Sequence, residues 1–213
     1  MAVGSHKGLG REYREVFTGI VEEIGTVSQV APFPGGKRFT LAAAFARGGL
    51  GLGDSISVNG CCLTAEEIDS GQGTFVVSAV EESLRRTNAG SWQRGTKVHL
   101  ERALPAAGRF DGHIVQGHID GIAGVLRAGR EGREFVLSIQ LPENLRRYVV
   151  SKGSIAVNGV SLTVGELRGG LCRLFIIPET LNRTQIGQYR AGEKVNVEVD
   201  LIAKYVESLT NKR

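Results

Sequence analysis

Cys62 and Ser161 are the side chains whose type and position most clearly suggest chemistry, because each lies in one of two nearly identical segments. Residues 55–64 read SISVNGCCLT and residues 154–163 read SIAVNGVSLT, with seven of ten positions identical. Where the first copy has the thiol of Cys62 the second has the hydroxyl of Ser161, while Thr64 and Thr163 match. Thiols and hydroxyls serve as nucleophiles or proton carriers when a neighbouring group activates them. The segments therefore predict two related polar pockets with unequal chemistry.

Less reactive interpretations of the same residues stay open. A cysteine after an Asn-Gly turn also suits a small buried position, and serine or threonine in a turn often bonds to nearby backbone. His113 and His118 are spaced i, i+5, which suits neither a helix face nor a strand face, and no cysteine or carboxylate completes a set with ligand spacing. The glycine-rich stretches match neither a P-loop nor a dinucleotide fingerprint. We therefore predict no metal site and no cofactor.

The similarity between the two copies continues on both sides of these segments. Residues 17–27 (FTGIVEEIGTV) align with 115–125 (VQGHIDGIAGV), and residues 81–90 (EESLRRTNAG) align with 178–187 (PETLNRTQIG). The offset between the copies stays between 97 and 99 residues. Solenoid repeats have periods of about 20–50 residues, so a period this long indicates two copies of a whole domain.

Each copy consists of short β-branched segments separated by Gly or Asn turns, for example VVSAV (76–80) and FVLSIQL (135–141). This pattern predicts an all-β fold with a small barrel or sandwich in each copy. Asn59-Gly60 and Asn158-Gly159 predict tight turns, because Asn and Gly both accept positive φ.

The end of the sequence has a different pattern. After Asp200, a candidate N-cap, the segment 201–213 carries an apolar stripe at helical spacing formed by Leu201, Ile202, Tyr205, Val206 and Leu209. A helix this short is marginal alone in water. We predict a C-terminal helix at 200–213 that packs either on its own barrels or on a partner chain.

Composition excludes several classes of protein. The chain has 213 residues, 41% of them hydrophobic, and a formal net charge of +4. The basic residues are scattered among acidic ones without interleaved aromatics, which argues against nucleic-acid binding. Apolar runs are far too short to cross a membrane. Three cysteines without a visible export signal indicate reduced thiols and a cytoplasmic protein.

Residues 1–15 align with nothing in the second copy. They are interpreted as an N-terminal extension and left out of the fold prediction. An added segment, a start codon set too early with Val16 as the true first position, and a native arm stay open as explanations.

Five motifs in one order closely resemble riboflavin synthases of the alpha-chain type, which contain two lumazine-binding repeats. They are FTGIVEEIG from Phe17, NGCCLT from Asn59, GHIVQGHIDG from Gly112, NGVSLTV from Asn158 and IPETLNRT from Ile177. The resemblance covers nearly all of the chain beyond residue 15. It implies two tandem Greek-key β-barrels, at 16–112 and 113–199, followed by the C-terminal helix.

The resemblance also implies the activity and the assembly. Each barrel would bind one 6,7-dimethyl-8-ribityllumazine, and two such molecules would dismutate to riboflavin and 5-amino-6-ribitylaminouracil without metal or redox cofactor. The active site would lie between the first barrel of one subunit and the second barrel of its neighbour, in a homotrimer held by C-terminal helices. Association with lumazine synthase is left open.

The motif match implies the following site residues. The catalytic set is Cys62, His118, Ser161, Thr163 and Asp200. Of these, His118 and Ser161 are expected to move a methyl proton, and Cys62 or Thr64 to assist the added nucleophile. The expected substrate contacts are Phe17, Thr18, Gly19, Ile20, Val21, Leu63, Thr64, Ser78, Ala79, Val80, Glu81, Glu82, Ser83, Gly117, Ile119, Lys152, Leu162, Ile176, Ile177, Pro178, Glu179, Thr180 and Leu181. Phe17, Thr18 and Gly19 are grouped with the pocket of Cys62, and His118 and Lys152 with that of Ser161.

Two other functions compete with the enzyme. Relatives called lumazine proteins keep both barrels but carry a ligand as bioluminescence antennae, and they tend to lose the repeat-specific polar residues. This chain retains Cys62, His118, Ser161, Thr163 and Asp200, which favours the enzyme. A third class, a barrel that only scaffolds a larger assembly, requires that ligand binding be absent.

Overall fold

The computed structural model of the chain describes residues 16–210, so the expected N-terminal extension at 1–15 and the last three residues of the predicted helix, 211–213, lie outside the described part. The first repeat contains strands β1 (Glu23–Phe33), β2 (Gly36–Ala42), β3 (Ser55–Val58), β4 (Cys61–Thr64), β5 (Glu67–Asp69), β6 (Thr74–Val80) and β7 (Lys97–Arg102). Helix α1 (Glu81–Arg86) and two short 3-10 helices (Ala44–Arg47 and Asn88–Ser91) lie between strands.

The second repeat contains β8 (Gly121–Glu131), β9 (Glu134–Gln140), β10 (Ser154–Val157), β11 (Val160–Arg168), β12 (Leu171–Ile176) and β13 (Lys194–Val199). Helix α2 (Pro178–Arg183) and 3-10 helices at Glu143–Tyr148 and Ile186–Gln188 connect them, and α3 (Leu201–Thr210) follows β13. No helix within residues 16–210 is long and apolar enough to span a membrane.

Both repeats have the same antiparallel topology. The second repeat is a closed barrel in the order β10-β11-β12-β9-β8-β13, and the first is a seven-stranded sheet in the order β4-β3-β7-β1-β2-β6-β5. The two ends of that sheet, β4 and β5, are successive pieces of one interrupted strand, which corresponds to β11 of the second repeat. The predicted fold of two Greek-key barrels and a C-terminal helix is confirmed.

Each barrel has its own apolar core. Phe39, Leu41 and Phe75 lie in the first core, where the ring of Trp92 meets Phe39 edge-on at a centroid distance of 5.1 Å. The second core is almost entirely aliphatic. Along most strands, side chains that point into the barrel alternate with side chains that point outward, as in small barrels whose interior is filled by side chains.

The two Asn-Gly turns adopt the predicted conformation and touch each other. Asn59 and Gly60 have φ of 47° and 80°, and Asn158 and Gly159 have φ of 45° and 77°. A Cβ on Gly60 would lie 2.7 Å from the amide nitrogen of Gly159, so only glycine allows the turns to meet. The hairpins β3–β4 and β10–β11 therefore meet at their tips, one from each barrel.

Buried polar groups join the barrels around these turns. Nδ1 of His99 lies 2.9 Å from the carbonyl oxygen of Asn158, and its Nε2 accepts the Gln185 amide at 2.9 Å. At the equivalent place in the second repeat, Nδ2 of Asn196 donates to the Asn59 carbonyl oxygen at 2.9 Å. Its Oδ1 accepts the amide of Asn88 at 2.6 Å. His99 and Asn196 thus make the same two kinds of contact across the barrel boundary.

Helix α3 begins at a side-chain cap and leaves an apolar face uncovered. Oδ1 of Asp200 accepts the Ile202 amide at 2.9 Å, as the sequence predicted. Lys204 is paired with Asp120 at 2.8 Å, which fixes one side of the helix to the second barrel. The opposite side exposes four apolar side chains, with Tyr205 at 63% and Leu209 at 71% exposure; the others are Ile202 and Val206.

Candidate active site

Two short stretches, which we call the crossing segments, connect the pockets of the two barrels. They are residues 17–19 and 115–117, and each precedes the first strand of its own repeat. The Phe17 amide donates to the Val115 carbonyl oxygen at 2.8 Å, and the Val115 amide donates back at 3.1 Å. Both side chains are fully buried and pack with Ala156 and the partly buried Cys62. The crossing segments therefore lie between the barrels as a small antiparallel pair.

Each crossing segment contacts the pocket hairpin of the opposite barrel. The amide of Ser161 donates to the carbonyl oxygen of Gly19 at 2.8 Å, and the amide of Cys62 donates to that of Gly117 at 2.9 Å. Gly19 and Gly117 have φ of 76° and 77°. Added Cβ atoms there would lie 2.6 Å from Cβ of Ser161 and 2.5 Å from Cβ of Cys62. Both glycines are therefore needed for a close approach and for a left-handed backbone.

This crossing changes how the predicted residues are grouped. Thr18 and Gly19 lie beside Ser161 of the second barrel, whereas Gly117 contacts Cys62 of the first barrel and is followed by the exposed His118. From the sequence we expected Thr18 and Gly19 with Cys62 and His118 with Ser161, so the grouping of these three residues is the reverse of the expected one. The side chain of Val21 belongs to the second core and that of Ile119 packs against the first, so the exchange includes core residues.

Ser161 contacts a histidine that the sequence analysis did not assign to the site. Its Oγ lies 2.7 Å from Nδ1 of His113, and the only other polar ring atom, Nε2, is buried without a partner among the described residues. Burial lowers the pKa of His113, while the charge of Asp200 raises it. A neutral imidazole beside a hydroxyl can accept its proton. Nothing in the sequence except its place five residues before His118 points to His113.

Cys62 is the more accessible member of the adjacent thiols. Cys61 points into the first core and is 5% exposed, and burial raises its pKa to about 12. Cys62 is only partly buried and packs against Phe17 and Val115 of the crossing segments. A nucleophilic role therefore suits Cys62 and does not suit Cys61.

Two buried carboxylates hold the crossing segments. Glu101 accepts the amides of Thr18 and Gly19 at 2.6 and 3.0 Å, and Glu198 accepts those of Gln116 and Gly117 at 2.7 and 2.9 Å. Burial raises the pKa of each carboxyl to about 7, although these donors lower it. Neither glutamate was singled out in the sequence, where each looks like one charged residue at the end of a strand.

The remaining catalytic candidates lie around the second barrel. Thr163 is exposed on β11 and pairs with Ser154, as Thr64 pairs with Ser55 in the first barrel. Ser154 and Asp200 line a groove of about 580 Å³ between this barrel and α3. Lys152 is exposed at the edge of the same barrel.

Lys152 has a left-handed backbone with φ of 68°, and the first repeat has Gly53 at the same place with φ of 83°. A non-glycine residue in this conformation costs about 1–2 kcal/mol. Such an outlier is a reason to suspect a functional side chain.

The other expected contacts fall into two sets. Leu63 and Leu162 are buried in the two cores, so they reach a ligand only through their main chain. The second set forms the junctions β6–α1 and β12–α2, where Val80 and Ile177 are exposed by 55% and 63%. Those junctions contain Ser78, Ala79, Val80, Glu81, Glu82 and Ser83, and Ile176, Ile177, Pro178, Glu179, Thr180 and Leu181. Ile20 is likewise exposed and follows Gly19, whose carbonyl oxygen accepts the amide of Ser161.

Known proteins with the same organisation match nearly the whole chain. The family described as "Lumazine binding domain" matches residues 18–103 and 116–200. The riboflavin synthase of Mycobacterium bovis is 41% identical over 197 residues, covering 91% of this chain and 98% of that protein. The riboflavin synthase of Actinobacillus pleuropneumoniae is 38% identical over 198 residues, covering 93% and 91%.

Solved structures show the same fold. LumP complexed with 6,7-dimethyl-8-(1'-D-ribityl)lumazine superposes with a TM-score of 0.76 at 24% identity, covering 86% of this chain and 98% of LumP. LumP complexed with riboflavin gives a TM-score of 0.77 at 25% identity over the same shares of both chains. Two matched repeats and relatives this similar over nearly their full length show that the chain belongs to the riboflavin synthase family of lumazine-binding proteins.

Proposed function

We propose that Cys62 and Ser161 mark two inequivalent pockets that serve the reaction of this family. That reaction is the dismutation of two 6,7-dimethyl-8-ribityllumazine molecules, the last step of riboflavin biosynthesis. One molecule transfers a four-carbon unit to the other, which yields riboflavin and 5-amino-6-ribitylaminouracil. The observation that carries the assignment is the pair of equivalent hairpins, one with a thiol and one with a hydroxyl, each contacted by a crossing segment.

A repeated pocket suits a reaction that uses the same substrate twice. Two identical molecules must meet with their reacting carbons aligned, and orientation alone supplies a large part of the rate. The two molecules nevertheless play different parts. Replacement of a thiol by a hydroxyl at equivalent positions of otherwise similar pockets provides such an asymmetry.

The pocket of Ser161 is suited to proton transfer. A methyl group on the lumazine ring is acidic, because its anion delocalises into the heterocycle. Ser161 hydrogen-bonds His113, which is close to the charge of Asp200. We assign proton movement to Ser161 with Thr163 and Asp200 nearby, and add His113 as the base that polarises the hydroxyl. Lys152 and the junction at Ile177 contribute substrate contacts.

The pocket of Cys62 is suited to the partner molecule. Cys62 and Thr64 lie on one hairpin, and His118 follows the crossing segment that contacts Cys62. We assign to this pocket the activation of the nucleophile that adds to the second ring, with His118 as the proton carrier. The junction at Val80 contributes contacts on this side.

Two variants test these assignments. Cys62→Ala and His118→Ala are expected to lower kcat, the latter by about 100-fold if His118 transfers a proton. The matched control is Cys61→Ala, which removes the neighbouring buried thiol and leaves the pocket unchanged. The measurement is riboflavin formation at saturating substrate. Full turnover in both Cys62→Ala and His118→Ala would contradict the assignments.

We further propose that the chain acts as a homotrimer, with the active site formed between the first barrel of one subunit and the second barrel of another. The apolar face of α3 supports this, because a face of four exposed apolar side chains is suited to an interface. Sedimentation should give the mass of three chains, and the mass of one would contradict the proposal. Association with lumazine synthase, which the sequence leaves open, is tested by co-sedimentation of the two proteins.

A cytoplasmic location is part of the same proposal. All three cysteines lie in the described residues, and none forms a disulfide. Reduced thiols are typical of the cytosol. Fractionation of cells that express the native protein tests the location, and recovery outside the cytosol would contradict it.

A ligand-carrying antenna is the second candidate, favoured by the similarity to LumP. Two observations favour the enzyme. The chain is 38–41% identical to the two riboflavin synthases and 24–25% identical to LumP. It also has Cys62 and Ser161 at the two hairpins and His118 directly after one crossing segment.

A further inference from the structure

Glu101 and Glu198 are equivalent residues of the two repeats and share an unusual environment. They lie on the last strands of the barrels, β7 and β13, and are 5% and 2% exposed. A buried carboxylate is costly unless hydrogen bonds satisfy it. The donors here are main-chain amides of the crossing segments.

The contacts of the two carboxylates follow the same pattern. One oxygen of Glu101 accepts the amide and the hydroxyl of Thr18, at 2.6 and 2.8 Å, and the other accepts the amide of Gly19 at 3.0 Å. One oxygen of Glu198 accepts the amide of Gln116 at 2.7 Å and the other accepts that of Gly117 at 2.9 Å. Each carboxylate thus fixes two successive peptide groups at once.

The next peptide group of each crossing segment contacts the opposite barrel. The carbonyl oxygen of Gly117 accepts the amide of Cys62, and that of Gly19 accepts the amide of Ser161. Glu198 of the second barrel is therefore connected through residues 115–117 to the pocket of Cys62 in the first barrel. Glu101 of the first barrel is connected in the same way, through residues 17–19, to the pocket of Ser161 in the second. The close approach at both glycines leaves little freedom, because any shift of the segment meets Cβ of Cys62 or of Ser161.

We propose that Glu101 and Glu198 are positioning residues that act across the barrel boundary: Glu198 sets the pocket of Cys62, and Glu101 sets the pocket of Ser161. The inference rests on the proposed function only in treating Cys62 and Ser161 as site residues. It predicts that the effect of a substitution appears in the barrel that does not contain it.

The requirement for a carboxylate follows from its two acceptor oxygens. A glutamine keeps the shape but turns an NH₂ group toward one of the two amides, which leaves that amide without an acceptor. The charged and titratable groups around Glu198 are Lys204, Asp120 and Cys61, and Glu22 lies near Glu101. Glutamine at either position keeps all of these groups but removes the charge of the carboxylate together with one acceptor oxygen, and Glu198→Asp, which keeps the charge, separates the two effects.

Thiol labelling reads out the first pocket without any assumption about catalysis. Iodoacetamide should label Cys62 ahead of Cys61 and Cys172, which are buried, and peptide mass analysis identifies the site. Glu198→Gln is expected to change the labelling rate of Cys62 several-fold, and Glu101→Gln to leave it within about twofold of the parent. The control Glu134→Gln removes an exposed carboxylate on β9 and should change neither rate.

Turnover separates positioning from a purely structural role. Both Glu198→Gln and Glu101→Gln are expected to lower kcat by about 10- to 100-fold with a smaller change in KM, because a small displacement of aligned groups is costly. The melting temperature should fall only modestly, because a single buried amide loses its acceptor. If Glu198→Gln does not fold, Glu198→Asp keeps the charge, shortens the reach by one methylene and carries the same expectation.

The labelling rate of Cys62 and the turnover test different statements, so one can fail without the other. An unchanged labelling rate of Cys62 in the folded Glu198 variant, or an equal change in Glu101→Gln, would overturn the inference even if the protein makes riboflavin. A parent protein without turnover would overturn the proposed function, while the labelling result would still decide the positioning of Cys62.

Discussion

At the scale of single residues, the informative positions are those where the two repeats differ. The thiol of Cys62 in the first repeat corresponds to the hydroxyl of Ser161 in the second, and Gly53 corresponds to Lys152. The backbone is left-handed at both Gly53 and Lys152. The second repeat thus carries a cationic side chain at a position where the first repeat avoids the conformational cost.

Replacement of Lys152 by glycine tests whether that cost serves function. Lys152→Gly relieves the left-handed strain but gives the unfolded chain more freedom, so the free energy of unfolding should be unchanged or higher by about 1 kcal/mol. Turnover should fall, because the ammonium group is lost from the site. Urea denaturation and riboflavin formation measure the two quantities. Unchanged turnover would remove Lys152 from the proposed site.

The sequence predicted Cys62 and Ser161 but not the histidine beside Ser161. Cys62 and Ser161 could be found from the sequence because the two aligned copies differ at this position. The contact with His113 depends on how the segment before β8 passes from one barrel to the other, and periodicity within a strand carries no information about that path. Glu101 and Glu198 were missed because a glutamate at a strand end looks like a solvated residue unless its partner is known.

At the scale of elements, the barrel boundary is built from nearly symmetric contacts with one exception. Asn196 joins the barrels on one side, and His99 takes its place on the other. Nε2 of His99 accepts a hydrogen bond, and Nδ1 lies against a carbonyl oxygen and must donate one. The ring is therefore neutral and carries its proton on Nδ1. Burial lowers the pKa of His99 to about 4.

This histidine should make folding sensitive to acid. An unfolded His99 has the ordinary pKa of 6.5 and binds a proton as the pH falls below it, whereas the folded residue stays neutral to about pH 4. The contribution of His99 is therefore complete above pH 6.5 and declines between pH 6.5 and 4, by about 3 kcal/mol in total. Glu101 and Glu198, with raised pKa values, act with the opposite sign over part of this range, so a comparison of variants is needed.

His99→Asn isolates the effect, because asparagine at the equivalent position of the second repeat makes the equivalent contacts. The free energy of unfolding of the parent, relative to that of His99→Asn, should fall by about 3 kcal/mol from pH 7 to pH 4. Urea denaturation at several pH values and fixed chain concentration measures it. A constant difference between the two proteins would show that His99 is not held neutral by the interface.

At the scale of the whole molecule, the duplication explains the architecture. Two copies of one barrel meet at their Asn-Gly turns, exchange the segments before their first strands and leave one helix with an uncovered apolar face. The barrels and the helix were predictable, because strand patterning and helical spacing are local signals. The exchange was not, because it is decided by packing between the copies.

A chain that uses one substrate twice should form both products from that substrate alone, and this is tested directly. Purified protein is incubated with 6,7-dimethyl-8-ribityllumazine, without any added cofactor, and both riboflavin and 5-amino-6-ribitylaminouracil are quantified. We expect one molecule of each product for every two molecules of lumazine consumed. Tight binding of the lumazine with no riboflavin formed would contradict it and would assign the protein to the ligand-carrying class.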